Sequence, residues 1–352
     1  MTLQFGNVHS EVDLASQGKR AGHFGLSHSD NRHAFSTIQS PLAVICGGAG
    51  PTALICGGNH GDEFEGQIIA RRLFETLTPE DLTGRLILAP ALNMPAVQSV
   101  TRVSPLDGGN LNRSFLGTQF AGPTQDIAGF VATHLIGNAD LAIDIHSGGR
   151  LSNYVDTAYF CLSTDPAQNQ QTRALSEVMG LPFTMVVPAS DTSGDFDSAA
   201  HASGCAMISC ELGGEGKVST QALHRGWHAV LRLLAHQGVL TQAAIDRLAI
   251  EPAPQTTFLD LGRDAVYVTA RSYGLVEPLI DLGDTVEMTQ PLAQLRDLYT
   301  MDAKPKVFTS DCAGIVSIMR TSPMVAPGDY LCVICPILTE AQLSDQMAKI
   351  AL

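Results

Sequence analysis

No stretch of this sequence stays apolar for the ~20 residues that a helix needs to cross a bilayer. Its first residues, Met1 to Asp13, lack the basic-then-apolar order of a secretion signal, so a cytoplasmic protein that does not enter the membrane is expected. Charge is sparse at 16% of residues, and it runs acidic: 35 acidic against 21 basic side chains give a formal net charge of −14. That balance excludes the basic stripe of a nucleic-acid binder. It could favour a cationic small substrate, although solubility is the plainer explanation. Nor do the eight cysteines make a disulfide framework. Cys46, Cys56, Cys210, Cys332 and Cys335 fall inside β-like apolar runs such as AVICGG and LCVIC, where a thiol behaves as a small buried hydrophobe. Cys332 and Cys335 have the spacing of a metal pair, yet no second pair matches them, and residues three apart on a strand face opposite ways.

What the chain does have is apolar residues, 45% of its 352 positions, enough to offset chain entropy on folding. Its length exceeds the roughly 250–300 residues at which single cores stop growing, so two domains are expected. From residue 41 to about 238, strand-like runs (PLAVICGG, TALICGG, GRLILAPAL, DLAIDIH, FTMVV, AMISCELGG) recur. Stretches of helical period lie between them at Glu63–Leu77, Gln125–Ile136, Asp165–Met179 and Thr220–His236. This alternation predicts an α/β domain, its mixed or parallel sheet covered on both faces, with binding residues at strand ends and in the loops that follow. Near Ile250 the pattern changes. EPAPQTTF reads as a linker, and the short β-like runs beyond it, separated by turns such as LGDT and APGD, predict a small all-β module. Within it EPLIDLGDTV and SPMVAPGDYL look like two copies of one strand–turn–strand unit, which implies a pseudo-symmetric sandwich. The expected divisions are an N-terminal extension over 1–40 packing on the catalytic domain, that domain over 41–250, the β module over 251–337, and a tail over 338–352 that could be helical.

The segment CGGNHGDEFEG follows a strand directly, and its His60 and Glu63 are three apart. Their side chains can converge in the first turn of a helix or in the tight turn leading into it. Imidazole with carboxylate suits zinc, and a catalytic zinc takes three protein ligands and leaves a fourth position open. A third ligand must come from elsewhere. IDIHSGG ends an apolar strand with His146, and Asp144 shares that strand face, placed to orient a metal-binding histidine. The alternative for His146 is a strand-end histidine bonded to backbone. GGNLNRSF supplies Asn110, Asn112 and Arg113; an arginine beside an amide can grip a carboxylate. Arg102, in the same polar loop, could polarise a scissile carbonyl; both arginines could also be simply solvated. Glu211 finishes AMISCELGG, where a carboxylate is costly unless used or paired. It could take a proton from an attacking water and return it to the leaving nitrogen, or cap a helix.

Taken in order, His-x-x-Glu, the Asn-Arg pair, Asp-x-His and the strand-end glutamate resemble the succinylglutamate desuccinylase/aspartoacylase family over roughly residues 40–240. That family is a branch of the zinc carboxypeptidase fold. The resemblance implies an α/β/α mixed-sheet domain with a smaller C-terminal β barrel-sandwich. It implies Zn2+ held by His60, Glu63 and His146, with Glu211 as general base and acid. It also implies that Arg102 polarises the carbonyl and that Asn112 and Arg113 hold the substrate carboxylate. Asn110 stands where aspartoacylases carry an aspartate, and the loop from Arg102 to Asn112 is longer than theirs; both depart from aspartoacylase specificity.

CGGNHGDEFEG, VSPLDGGNLNRSFLG and IDIHSGG are similar to strings of a subgroup, the N-acetyl-diaminobutyrate deacetylases of ectoine breakdown. The C-terminal module looks like theirs, similar to lipoyl and biotinyl carriers. It lacks the Met-Lys-Met attachment signature, Lys304 and Lys306 lying in a proline-containing segment without it. A structural, substrate-shaping or oligomerising role is therefore expected, and with it a homo-oligomer. A diaminobutyrate side chain carries an ammonium, for which Asp191, Asp195 and Asp197 are candidates. Asp197 is favoured because its Phe-Asp pair resembles the subgroup's aromatic-Asp pair; aspartates capping a following helix are the alternative.

Other signals weigh less. His224 and His228 are four apart on a helical stretch without the zincin glutamate, GGAGPTA lacks the Gly-Lys-Ser/Thr of a phosphate loop, and Ser147 lacks a nucleophile elbow. The expected activity is zinc-dependent hydrolysis of a small N-acyl amino acid, in particular N-α-acetyl-L-2,4-diaminobutyrate. The alternatives are a succinyl or aspartyl amide, or a non-catalytic binder or scaffold.

Overall fold

The computed structural model of the protein describes residues 2–31, 34–188 and 194–349. Twelve strands organise the catalytic part: β1 Leu3–Phe5, β2 Val8–Ser10, β3 Gly18–His28, β4 Ser36–Cys46, β5 Thr52–Gly57, β6 Arg85–Ala89, β7 Leu141–His146, β8 Ser152–Tyr154, β9 Thr157–Cys161, β10 Phe183–Val187, β11 Ala206–Glu211 and β12 Thr257–Asp260. All but β8 form an eleven-stranded mixed sheet in the order β1-β2-β3-β4-β6-β5-β7-β11-β9-β10-β12. The helices are α1 Glu65–Thr76, α2 Met94–Ser99, α3 Pro123–Phe130, α4 Pro166–Met179, α5 Phe196–Ser203, α6 Thr220–His236 and α7 Gln242–Leu248.

The period of two along β7 and β11 explains why the site lies where it does. The strands run parallel with Leu141 opposite Ala206 and His146 opposite Glu211. Leu141, Ile143 and Ile145 share one face with Ala206, Ile208 and Cys210, and pack under α1, α4 and α6. The other face begins apolar, with Ala142 and Met207 in a second core beneath α3 and α5. It then turns polar toward the strand ends, at Asp144 opposite Ser209 and His146 opposite Glu211. The core thus stops where the chemistry starts.

The helical readings hold for α1, for α4 with Asp165 as its N-cap, and for α6, capped by Ser219. Ala222, Gly226, Ala229, Val230 and Leu233 form the buried stripe of α6. The stretch read as Gln125–Ile136 starts earlier, because Pro123 suits a first helical position, and from Val131 to Leu135 it widens into a π-type turn. One expected boundary falls inside a strand, and the expected linker runs into another. Residue 40 lies within β4, so residues 1–40 supply strands to the sheet rather than an extension lying on it. Thr257 and Phe258, read as linker, belong to β12, which pairs parallel to β10 at the sheet's other edge. In both places strand pairing outweighed a local composition of serine, threonine and proline.

Beyond β12 the chain forms two antiparallel sheets packed face to face on Val268, Val286, Leu292, Val316 and Ile334. The two look-alike segments are structural repeats. Gly283 (φ 90°) and Gly328 (φ 93°) take the same left-handed turn. The aspartate after each accepts the N–H three residues back, Asp281 to Asp284 (2.8 Å) and Ala326 to Asp329 (3.0 Å). The catalytic part donates a strand to this module: β8 pairs with Gly314–Arg320, Tyr154 opposite Ile318. Glu340–Lys349 is helical, and no helix among the described residues is long and apolar enough to cross a membrane.

Candidate metal centre

The turn leaving β5 carries Asn59, His60, Gly61, Asp62 and Glu63 into α1. Its path is dictated at Gly61, where a Cβ would stand 2.0 Å from the carbonyl carbon of Ala96. The Gly61 N–H is meanwhile bonded to the Thr101 carbonyl at 2.9 Å. Only a residue without a side chain lets the turn lie this close to α2. The result buries His60 and Glu63 to 2% and 3% exposure. His146, at the end of β7, is 7% exposed.

These three side chains converge through particular atoms. His60 Nδ1 lies 2.7 Å from Glu63 Oε1, and His146 Nδ1 lies 2.8 Å from Glu63 Oε2. The ligand atoms of the trio lie within 4.8 Å of one another, a spacing that could hold a metal ion. Each imidazole has an oxygen at its other nitrogen: Asn110 Oδ1 at 3.2 Å from His60 Nε2, and Asp144 Oδ2 at 2.8 Å from His146 Nε2. Asp144 Oδ2 also accepts from Asn59 Nδ2 at 2.8 Å. Burial alone would raise the Glu63 carboxyl, but the charges and hydrogen bonds of His60 and His146 hold it well below the usual range. His146 is correspondingly raised: burial opposes its charged form, and Asp144 and Glu63 outweigh that.

A second such group among the described residues, His224, His228 and Glu251, fails on its protonation chemistry. The Glu251 backbone N–H donates to His228 Nδ1 at 3.2 Å, so the proton of this imidazole sits on Nε2. Nε2 is the atom turned toward Glu251 Oε1, 3.7 Å away, and a protonated nitrogen has no lone pair for a metal. Burial lowers the pKa of His228 as well.

The other candidates occupy different distances from the trio. Glu211 is half-buried beside His146, and its Oε2 is buried with no hydrogen-bond partner among the described residues. Burial and then the nearby Glu63 push its carboxyl up to about 8. Arg102 reaches the centre from the surface: its side chain is 57% exposed, with Nη1 at 3.4 Å from Glu63 Oε1. Asn112 and Arg113 lie in a short 3-10 turn over Leu111–Arg113, capped by Asn110. The Asn112 oxygen accepts the Phe196 N–H at 2.9 Å, which ties this turn to the start of α5. Arg113 is exposed and turned back onto the Asn112 carbonyl. Of the three aspartates, Asp191 lies outside the described residues, and Asp195 is the N-cap of α5, accepting from Ser198 N at 2.9 Å. Asp197, in the first turn, is half-buried beside the Cys161 thiol; burial, then Asp195 and Asp144, push it up to about 7.

Two neighbours were not read from the sequence. Tyr159 stands opposite Ser209 on β11, hence on the face of Glu211, and hydrogen-bonds Tyr154. Burial raises both phenols, and the charge of Glu211 adds to it. The T-x-Y-x-C alternation of β9 was the available signal; its register against β11 was not.

A family model, described as the succinylglutamate desuccinylase/aspartoacylase catalytic domain, matches residues 49–237. The chain belongs to that family. It is accordingly an enzyme, an amidohydrolase, and its fold is the mixed α/β architecture of the family's solved structures. It is 31% identical to the N-alpha-acetyl-L-2,4-diaminobutyric acid deacetylase of Halomonas elongata, over 94% of this chain and 95% of that one. Among solved structures it is similar to the ectoine utilization protein EutE (DoeB) of Ruegeria pomeroyi in its product-bound form. That match has 33% identity and a TM-score of 0.88, and covers 95% of this chain and 100% of that one. A succinylglutamate desuccinylase of Silicibacter sp. is similar at 30% identity and TM-score 0.89, covering 95% and 99% of the two chains.

Proposed function

We propose that this family member is a zinc-dependent deacetylase of N-α-acetyl-L-2,4-diaminobutyrate, acting in ectoine degradation. The observation that carries the chemistry is the convergence of two Nδ1 atoms and one carboxylate beside a buried glutamate oxygen that has no partner among the described residues. Two imidazole nitrogens and a carboxylate are a zinc donor set, and three protein donors leave the open position of a catalytic site. His60, Glu63 and His146 would hold the ion. When bound, zinc supplies Lewis acidity, polarising the acyl carbonyl and making a water more acidic.

The protein groups divide the remaining work. Glu211 takes a proton from the attacking water on its free Oε2. It then returns the proton to the leaving nitrogen, so that water and amide become acetate and a free amine. A carboxyl raised by burial suits a group that must give its proton back. Arg102, extended over the trio, faces the carbonyl oxygen as negative charge develops there. Arg113 and Asn112 hold the α-carboxylate, which requires the Arg113 guanidinium to swing off its own backbone contact. Asp197 receives the side-chain ammonium.

The substrate's identity rests on the deacetylase and ectoine-utilization relatives together with Asp197. A succinylglutamate desuccinylase among the similar structures keeps a succinyl substrate as the second reading. Asp197 disfavours it, because a half-buried carboxylate beside Asp195 repels an anionic side chain where it attracts an ammonium. The test is turnover of acetyl-, succinyl- and formyl-amino acids before and after chelation, with Glu211→Gln alongside. Acetyl-diaminobutyrate should be preferred and activity lost on chelation; the variant should keep its zinc while turnover falls by orders of magnitude. Retained activity in Glu211→Gln removes that residue from the reaction.

A further inference from the structure

We propose that Asn110 is a positioning residue that selects the nitrogen with which His60 meets the metal. The inference rests on the zinc reading above and goes beyond its ligand set.

A neutral imidazole carries one ring proton, and the group facing each nitrogen decides where that proton goes. Asn110 Oδ1 lies 3.2 Å from His60 Nε2. An amide could in principle turn its NH2 to the ring instead, and then Nε2 would be the acceptor and Nδ1 the protonated atom. The Asn112 backbone forbids this. Its N–H points at the same Asn110 side-chain atom at 3.0 Å, and an N–H needs an oxygen there, not an amide nitrogen. The main chain of Asn110 is fixed too, its carbonyl accepting from Arg113 N (3.1 Å) and Ser114 Oγ (2.9 Å). The amide therefore presents oxygen, His60 Nε2 keeps the proton, and the lone pair is left on Nδ1, the atom that faces Glu63.

The same turn carries Asn112, whose own oxygen holds the Phe196 N–H. Asn110 thus joins His60 to the turn that presents Arg113, without adding charge. The two histidines differ in consequence: His146 leans on the carboxylate of Asp144, His60 on a neutral amide. Partners of this kind are typically worth about 10–100-fold in metal affinity.

The test compares Asn110→Leu, which keeps the volume and removes the acceptor, with Asn110→Asp, which keeps an oxygen at the same place. Zinc dissociation constants are read by competition with a chromophoric chelator, with His60→Ala as control. The visible spectrum of the cobalt-substituted protein reports ligand geometry. Asn110→Leu should weaken zinc about 10–100-fold and shift the cobalt bands; Asn110→Asp should stay within a few-fold of the parent and preserve the bands. A Leu variant with parental affinity and spectrum overturns the assignment, as does an Asp variant that loses zinc as the Leu variant does. A parent protein that takes up no zinc overturns the metal reading itself; one that binds zinc through His60 while ignoring Asn110→Leu overturns only this inference.

Discussion

Asp144→Asn separates the two things that a buried carboxylate does here. Asp144 is fully buried; Oδ2 accepts from both His146 Nε2 and Asn59 Nδ2 at 2.8 Å, and Oδ1 has no partner among the described residues. Asparagine is isosteric, so packing is kept, and its oxygen can take the place of Oδ2. The bond to His146 then survives without its charge. A hydrogen bond to a charged group is worth ~1.5–3 kcal/mol and a neutral one ~1 kcal/mol, so roughly 1–2 kcal/mol of support for His146 is lost. That corresponds to about 5–30-fold in the metal dissociation constant. The amide NH2 meanwhile takes the place of Oδ1, where nothing accepts it. An unpaired buried donor costs ~1–3 kcal/mol, but it does so with or without metal, and therefore lowers stability rather than affinity. Chelator competition reads the first effect, and thermal melts of the chelated protein read the second. An Asp144→Asn protein that binds zinc as tightly as the parent would refute the reasoning, since His146 would then need no anionic support.

Gly61→Ala should destabilise the protein by about 1–3 kcal/mol and reduce zinc binding. The new methyl group would overlap the Ala96 carbonyl carbon 2.0 Å away and push the ligand turn off α2. A parental melting temperature with full zinc occupancy would contradict the close approach. Asp197→Asn should lose turnover on acetyl-diaminobutyrate by one to two orders of magnitude more than on a neutral acetyl-amino acid, and equal losses would sink the selectivity role. The same variant carries a pH signature. Burial raises Asp197 from 3.8 to about 7, so the folded state favours the protonated acid, and stability is lost as pH climbs from the lower value through the higher. In the chelated protein Asp197→Asn should therefore raise the melting temperature more at pH 8 than at pH 5, and the reverse order would show that Asp197 is not strained by its charge.

The two halves of the candidate metal trio carry local signals, whereas the meeting of His146 with Glu63, 83 residues away, does not. His60 and Glu63 share one turn, and Asp144 and His146 share one strand face. The helices that pack against the sheet were legible from their apolar period, as α4 and α6 show. What escaped depends on long-range register. Nothing in the sequence says that Asn110 meets a ring fifty residues upstream, or that Tyr159 pairs opposite Ser209 and so shares the face of Glu211. Two strands escaped for the same reason: β4, inside the sheet between β3 and β6, runs through residue 40, and β12, at the edge, runs through a segment that reads as linker, since pairing partners rather than composition decide where a strand begins.

The loop after His146 shows how the β module enters the architecture. Three parts of the structure bond the backbone between Gly148 and Tyr154. From the ligand turn, Asp62 Oδ2 accepts Arg150 N at 3.0 Å. Just beyond Glu211, the Gly213 carbonyl accepts both Gly148 N (3.0 Å) and Tyr154 N (3.1 Å). From the module, Thr321 N donates to the Leu151 carbonyl at 3.1 Å and Thr321 Oγ1 to the Arg150 carbonyl at 2.7 Å, while Gly314–Arg320 takes β8 as its neighbour. The segment between His146 and Tyr154 is therefore tied to three neighbours, although Leu151 at its tip is exposed. A surface loop bonded only to water opens at little cost, whereas this one cannot move without breaking pairs to the ligand turn, the Glu211 strand and the module together.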